Sequence, residues 1–207
     1  LFDICRSLPD SAEIEFKVEG HSAIVKSGKS RFSLSTLPAS EYPNLEEWES
    51  SDQIELTRHT LRALIESTHF SMANQDVRYY LNGMSFELEP NVIRTVSTDG
   101  HRLALAQQSV TNGVSEQRQV IVPRKAVLEI LRLLEDDDAT ISLHLGTNHL
   151  RIVEQSFLFT TKLVDGRFPD YRRVLPQGGD KTVVADKFML KDVFQRVSIL
   201  STRNLKV

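Results

Sequence analysis

The run Ser97-Thr98-Asp99-Gly100-His101 sets a hydroxyl, a carboxylate and an imidazole within five positions. These are the groups of a hydrolytic triad, in which a base must reach the nucleophile and an acid must orient the base. Neighbours at a turn rarely converge that way, and Asp99-Gly100 is itself a common turn pair. A small hydrolase or nuclease using Asp99 and His101 is therefore the rival reading, and it lacks a convergent acid-base set. Asp136-Asp137-Asp138 suggests Mg²⁺, but hard-cation sites gather oxygens from several elements, and an acidic run between a helix and a strand is ordinarily solvated. The chain has no Gly-rich phosphate loop and no His-Glu-x-x-His pair. No catalytic residue, metal site or cofactor is expected.

The basic residues offer a different chemistry. Over residues 124–134, Lys125, Glu129 and Arg132 form a polar helical stripe apart from Val127, Leu131 and Leu134. Lys187, Lys191 and Gln195 do the same against Val193, Phe194 and Val197, and Arg6 falls on the polar side of an opening helix. For one helix this is an ordinary wetted face. Repeated on several helices, it could build a lining that meets phosphates without reading bases. In Gln75-Asp76-Val77-Arg78-Tyr79-Tyr80-Leu81, the paired tyrosines beside an arginine suit stacking on bases or sugars. They suit half-buried strand positions equally well, so the pattern leaves both open.

The elements that must hold these groups follow from periodicity. Helical spacing marks Leu61, Leu64, Ile65 and Thr68, then Val127, Leu128, Leu131 and Leu134, then Leu190, Val193, Phe194 and Val197. Phe2-Asp3-Ile4-Cys5 with Leu8 looks like the tail of a fourth helix. Alternation marks strands at Ile14, Phe16 and Val18, at Ile141, Leu143 and Leu145, and at Phe157, Phe159, Thr161 and Leu163. Such alternation places one face on a core and one in water, so an α+β class with antiparallel sheets is expected. The order repeats: Leu37-Pro38-Ala39-Ser40-Glu41-Tyr42-Pro43-Asn44-Leu45 matches Leu163-Val164-Asp165-Gly166-Arg167-Phe168-Pro169-Asp170-Tyr171, and Phe2-Asp3-Ile4 matches Leu128-Glu129-Ile130 at the same offset. A period far above the roughly 20–50 residues of solenoids means domain duplication. Boundaries are predicted near residue 50 and at the Gln177-Gly178-Gly179-Asp180 linker.

Composition narrows the class. The 207 residues are 40% hydrophobic and 26% charged, with a net charge of −3, which opposes a uniformly basic nucleic-acid binder and permits a cationic face. Cys5 is the single cysteine. That excludes an intrachain disulfide and fits a reduced, cytoplasmic compartment. No apolar run approaches the roughly 18 residues of a membrane span. The chain opens inside a helical pattern and stops without a closing turn, so an internal portion of a longer protein is expected.

Four motifs in order carry a resemblance: residues 76–84 (Asp76 to Met84), 98–104 (Thr98 to Ala104), Val122-Pro123-Arg124-Lys125, and 162–171 (Lys162 to Tyr171). Together they resemble the bacterial beta sliding clamp family, the beta subunit of DNA polymerase III, most of all its proteobacterial type. The resemblance implies a DNA clamp fold of duplicated helix-plus-antiparallel-sheet units, with three-domain subunits closing head to tail into a dimeric ring around duplex DNA. Residues 1–50 would be the C-terminal half of domain one, 51–178 all of domain two, and 179–207 the start of domain three. It implies a non-catalytic processivity subunit whose partners are sequence-independent double-stranded DNA, a second copy of itself, the polymerase III core, the clamp loader, other polymerases and repair proteins, with no membrane.

By the same resemblance Gln75, Tyr79, Tyr80, Arg124, Lys125 and Arg132 meet DNA. Leu81, Thr98, Gly100, His101, Arg102, Leu103, Pro169, Arg173 and Val174 belong to a hydrophobic pocket for short peptide motifs of partners. Lys29, Arg31, Phe32 and Leu34 form one side of the dimer seam, and Ile199 and Leu200 the other. For Phe32 and Leu34, alternation alone leaves core packing open. The segment Ser201-Thr202-Arg203-Asn204-Leu205-Lys206 departs from the family pattern.

Overall fold

A computed structural model of the chain describes residues 1–42, 52–110, 114, 116–176 and 178–199. The chain divides into two compact units, Leu1–Ser50 and Ser51–Val207. In the first, helix α1 (Phe2–Ser7) precedes a three-stranded antiparallel meander of β1 (Glu15–Glu19), β2 (Ser22–Ser27) and β3 (Ser30–Ser35). Register sets Val25 between Phe16 and Phe32, and Ala23 between Val18 and Leu34, so alternation gathers all six on one face. Val25 and Ala23 are buried there, while the flanking side chains are only partly covered or exposed.

The second unit repeats one order twice. Strand β4 (Asp52–Thr57) leads into α2 (Arg58–Glu66) and then β5 (Gly83–Glu89), β6 (Val92–Thr98) and β7 (Leu103–Ser109). Strand β8 (Arg118–Pro123) leads into α3 (Arg124–Leu133) and then β9 (Thr140–Leu145), β10 (His149–Val153) and β11 (Leu158–Lys162). The sheets run β7-β6-β5-β8 and β11-β10-β9-β4, antiparallel throughout. Each half thus gives its first strand to the sheet of the other half. Neither sheet is complete without both halves, which ties them into one folding unit. The duplicated helix-and-meander plan expected from sequence is the plan observed.

The core lies where the apolar stripes of α2 (Leu61, Leu64, Ile65) and α3 (Val127, Ile130, followed by Leu134) meet Met84, Phe86 and Leu88 of one sheet and Ile141, Leu143 and Ile152 of the other. Fully burying each such side chain contributes about 1.5–3 kcal/mol. Two buried hydroxyls tie this core together. Thr68 Oγ1 and Thr95 Oγ1 both donate to the Leu64 carbonyl, at 2.8 and 3.0 Å, which fastens the end of α2 to β6.

The start of α2 explains the acidic run. Thr57 Oγ1 accepts from Thr60 N at 3.1 Å as the N-cap. The first-turn N–H groups of Arg58 and His59 donate to the carbonyls of Ala139 and Asp137, at 2.9 and 2.8 Å. Asp137 also accepts from Arg58 at 3.0 Å, and Asp136 lies 2.7 Å from His59 Nδ1. Asp136 and Asp137 are therefore helix-end anions and ion-pair partners. Arg58 further reaches Glu154 at 2.7 Å. The Ser156 hydroxyl and backbone N–H, and then Arg58, hold the Glu154 carboxyl down at about 2.

Beyond β11, the chain crosses back over the sheet of β5 to β8 and later forms α4 (Lys187–Ser198). Asp186 caps α4 by accepting from Phe188 N and Met189 N, at 3.0 and 2.9 Å. Every described side chain from 178 to 199 is exposed, including Leu190, Val193, Phe194 and Val197. The predicted linker residue Gln177, the predicted seam residue Leu200 and residues 201–206 lie outside the described residues. So do Pro43, Asn44 and Leu45 of the repeated motif.

Candidate functional site

The loop after α2 is built on one ion pair. Arg78 Nε and Nη2 donate to the two carboxylate oxygens of Asp76, at 3.0 and 2.9 Å, and Nη2 also reaches the Asp99 carbonyl at 3.2 Å. Hydrogen bonds from the Arg78 side chain and backbone N–H hold the Asp76 carboxyl down at about 2. Asn82 closes the loop by exchanging two hydrogen bonds with the Asp76 backbone, at 2.9 and 2.8 Å. The segment that could have been a strand is instead a loop ending in a short 3₁₀ turn, Tyr79–Leu81. Gln75 takes a left-handed conformation at φ 58° to start it.

The turn from β6 to β7 is self-stapled. Asp99 Oδ1 accepts from the backbone N–H of His101 and Arg102, at 2.9 and 3.0 Å, and Asp99 Oδ2 accepts from Arg102 Nε at 3.0 Å. Those two backbone bonds, then the Arg102 side chain, lower the Asp99 pKa. Gly100 sits at φ +89°, and a Cβ on it would come 3.0 Å from Arg78 Nη1. Glycine is needed there for conformation and for the close approach of the arginine.

These turns also dispose of the hydrolase reading. Ser97 Oγ is buried and donates to the Thr68 carbonyl. Asp99 is occupied with backbone N–H groups, and His101 is exposed at the rim. The hydroxyl, carboxylate and imidazole point to three different tasks, so no acid-base relay exists among them.

Between the two turns and the returning segment lies a cavity of about 530 Å³. Eight of the nine residues expected for a peptide pocket line it: Leu81, Thr98, Gly100, His101, Arg102, Leu103, Pro169 and Val174. Leu103 lines it from β7 and Val174 from the end of a 3₁₀ turn, Tyr171–Arg173. Arg173 is the exception. It turns outward and pairs with Asp170 at 2.9 Å, its side chain 84% exposed. Sequence reasoning missed Arg78, Asp170, Tyr171, Leu175 and Pro176 as lining residues, although the aromatic-proline run at 168–171 pointed to that segment.

Tyr80, expected on DNA, lines this cavity as well. Tyr79 meets it edge-on, with centroids 5.8 Å apart, and stays mostly exposed. The Tyr79 ring lies over Gly166, where a Cβ would come within 3.3 Å of it at φ +148°. The two tyrosines therefore connect the exposed Gln75 loop to the cavity wall.

Among the basic candidates, Lys125 and Arg132 are exposed on α3. Arg132 is not free: it pairs with Glu129 at 3.0 Å. Arg124 is half-buried and donates to the Met72 carbonyl at 3.3 Å. In the first unit Lys29 and Arg31 are exposed, Phe32 and Leu34 are half-buried on β3, which among the described residues pairs with β2 alone, and Ile199 on the second unit is exposed.

The family model described as "DNA polymerase III beta subunit, central domain" matches residues 55–170, more than half of the chain. The chain belongs to the DNA polymerase III beta subunit family. The corresponding N-terminal domain model matches residues 1–46. A beta sliding clamp of Pseudomonas putida is 52% identical over 206 residues, and the chain spans 56% of the length of that relative. A crystal structure of the DNA polymerase III subunit beta from Pseudomonas aeruginosa superposes with a TM-score of 0.86 at 49% identity, covering 98% of this chain and 55% of that one. Another structure of that organism's sliding clamp, bound to griselimycin, matches with a TM-score of 0.84 at 49% identity, covering 98% and 55%. The α+β architecture with antiparallel sheets is thus the clamp architecture of this family.

Proposed function

We propose that the protein is part of a sliding clamp that encircles duplex DNA as a head-to-tail dimeric ring and keeps the replicative polymerase on its template. Residues 1–50 serve as the second half of ring domain one, 51–178 as domain two and 179–207 as the opening of domain three. The observation that carries this reading is the cavity walled by Leu81, Leu103 and Val174 beside the exposed Tyr79. An apolar cleft with a few fixed polar groups anchors a peptide's hydrophobic side chains and orients its backbone. Visiting polymerases, the clamp loader and repair proteins dock there, while Lys125 and its neighbours meet phosphates without reading sequence.

No bond chemistry is needed for this task. A closed ring cannot leave DNA sideways, so weak contacts suffice, and docking beside the primer end raises the local concentration of polymerase. ATP is used by the loader. The compartment is the bacterial cytoplasm, and no described helix is long and apolar enough to cross a membrane.

Two measurements test the reading. Full-length protein loaded on nicked circular DNA by its matching loader stays bound until the circle is linearised; retention that ignores linearisation would overturn the ring. Griselimycin, seen on a relative's clamp, binds this protein, and Leu103→Asp abolishes that binding. Equal binding by Leu103→Asp would place the ligand elsewhere and remove the pocket from the proposal.

A further inference from the structure

Besides the start of β7, the pocket is walled by a segment that is not a strand. It is the returning segment, residues 164–176, laid across the sheet face that looks away from the main core. Its apolar contacts form a small second core in which Phe168 and Tyr171 pack on Val96 of β6 and Ile121 of β8. One backbone bond, Val164 N to the Ile121 carbonyl at 2.9 Å, fixes where the segment begins to cross. Its far end depends on a carboxylate from beneath.

Glu87 of β5 has a side chain only 1% exposed. Its Oε1 accepts from Gln119 Nε2 of β8 at 3.0 Å. Its Oε2 accepts from Arg94 of β6 at 2.8 Å, from the Tyr171 hydroxyl at 3.0 Å and from Arg172 Nη2 at 3.1 Å. A buried carboxylate is retained only when such donors satisfy it, and here all the donors named come from three neighbouring segments. Burial, and then the bond to Glu87, raise the Tyr171 pKa, so the phenol stays a donor at any working pH. Tyr171 and Arg172 open the 3₁₀ turn whose cap is Val174. The position of Val174 against Leu103 therefore hangs on where Glu87 holds that turn.

We infer that Glu87 is a positioning residue for the partner pocket: it touches no ligand, but sets the separation of the two apolar walls by anchoring Tyr171 and Arg172 to the sheet. This rests on the pocket reading above. The main core lies on the other side of β5, through Met84, Phe86 and Leu88. Loosening Glu87 should therefore free the returning segment before it disturbs the helices.

The experiment compares the wild-type protein with Glu87→Gln and Tyr171→Phe, reading griselimycin affinity by calorimetry and amide exchange residue by residue. Glu87→Gln is expected to weaken binding about tenfold, and Tyr171→Phe about threefold, as for loss of hydrogen bonds in a buried network. Amides of residues 170–175 should exchange faster in both, while those of α2 and α3 keep their wild-type protection. Wild-type affinity in both variants overturns the inference, and so does a uniform loss of protection across the unit, which marks a general stability role. If Glu87→Gln fails to fold, Tyr171→Phe decides alone. Failure of the wild-type protein to bind defeats the pocket reading instead, and the exchange pattern of 170–175 then decides whether Glu87 anchors the turn.

Discussion

The Arg78 guanidinium grips both carboxylate oxygens of Asp76, at 3.0 and 2.9 Å. The same group reaches the Asp99 carbonyl at 3.2 Å, so a pair formed two residues apart also braces a turn 21 residues downstream. The Asp76 pKa is lowered from 3.8 to about 2 in the fold, above all by its hydrogen bonds from Arg78. A depressed carboxyl contributes stability that is present above the unfolded value and lost as pH falls through the folded one, so the contribution of this pair should be full above pH 3.8 and fade between there and about pH 2. In Arg78→Ala, the Asp76 carboxyl should titrate higher by carbon NMR but stay below its ordinary value, because the backbone N–H of residue 78 still donates to it, and griselimycin should bind several-fold more weakly. An Asp76 midpoint that stays at about 2 would show that the arginine is not the cause.

His59 gives a pH dependence of opposite sign. Its pKa is raised above 6.5, first by the hydrogen bond to Asp136 and then by the charge of that carboxylate. A raised imidazole contributes stability fully below the unfolded value and loses it as pH rises through the folded value. Between mildly acidic and mildly alkaline pH, the melting temperature of the wild-type protein should therefore fall slightly relative to that of His59→Gln. Proton NMR of the imidazole should give a midpoint above 6.5 that drops in Asp136→Asn. No drop would reassign the shift.

Much of this was legible beforehand, for identifiable reasons. The stripe Leu61, Leu64 and Ile65 and the alternation Ile141, Leu143 and Leu145 are periodic, and period is what helices and sheets require of a sequence. The pocket residues came from motif resemblance, since Leu81, Leu103 and Val174 have no spacing in common. The strand exchange between halves was invisible because β4 and β8 alternate equally well in either sheet. The pairing of Arg132 with Glu129 and the outward turn of Arg173 were also hidden. A stripe of charges shows which face is polar, but not which charges already have partners. Glu87 escaped notice because one glutamate in an alternating strand looks like a wetted residue.

Gly100 should tolerate no side chain. At φ +89°, any L-residue carries backbone strain of about 1–2 kcal/mol, and a Cβ would also press on Arg78 at 3.0 Å. Gly100→Ala should lower stability by that order in urea titrations. Griselimycin affinity should fall by a larger factor than in an alanine substitution of exposed Gln108, because the turn rims the cavity. Equal effects at the two positions would mean that the turn does not shape the pocket.

Lys125 and Arg132 should differ on DNA although both are exposed on α3. Each phosphate neutralised by a cation contributes about 0.9 to the slope of log affinity against log salt. Lys125→Ala should therefore reduce that slope by about one in the assembled full-length protein. Arg132 is held by Glu129 at 3.0 Å, so removing Arg132 alone should change the slope less. Glu129→Gln supplies the deciding case: it releases the guanidinium without adding a cation, and the slope should steepen only while Arg132 is present. Salt titrations of Glu129→Gln, with and without Arg132→Ala, separate the two outcomes. If Glu129→Gln leaves the slope unchanged, Arg132 faces away from the phosphates and α3 presents Lys125 alone.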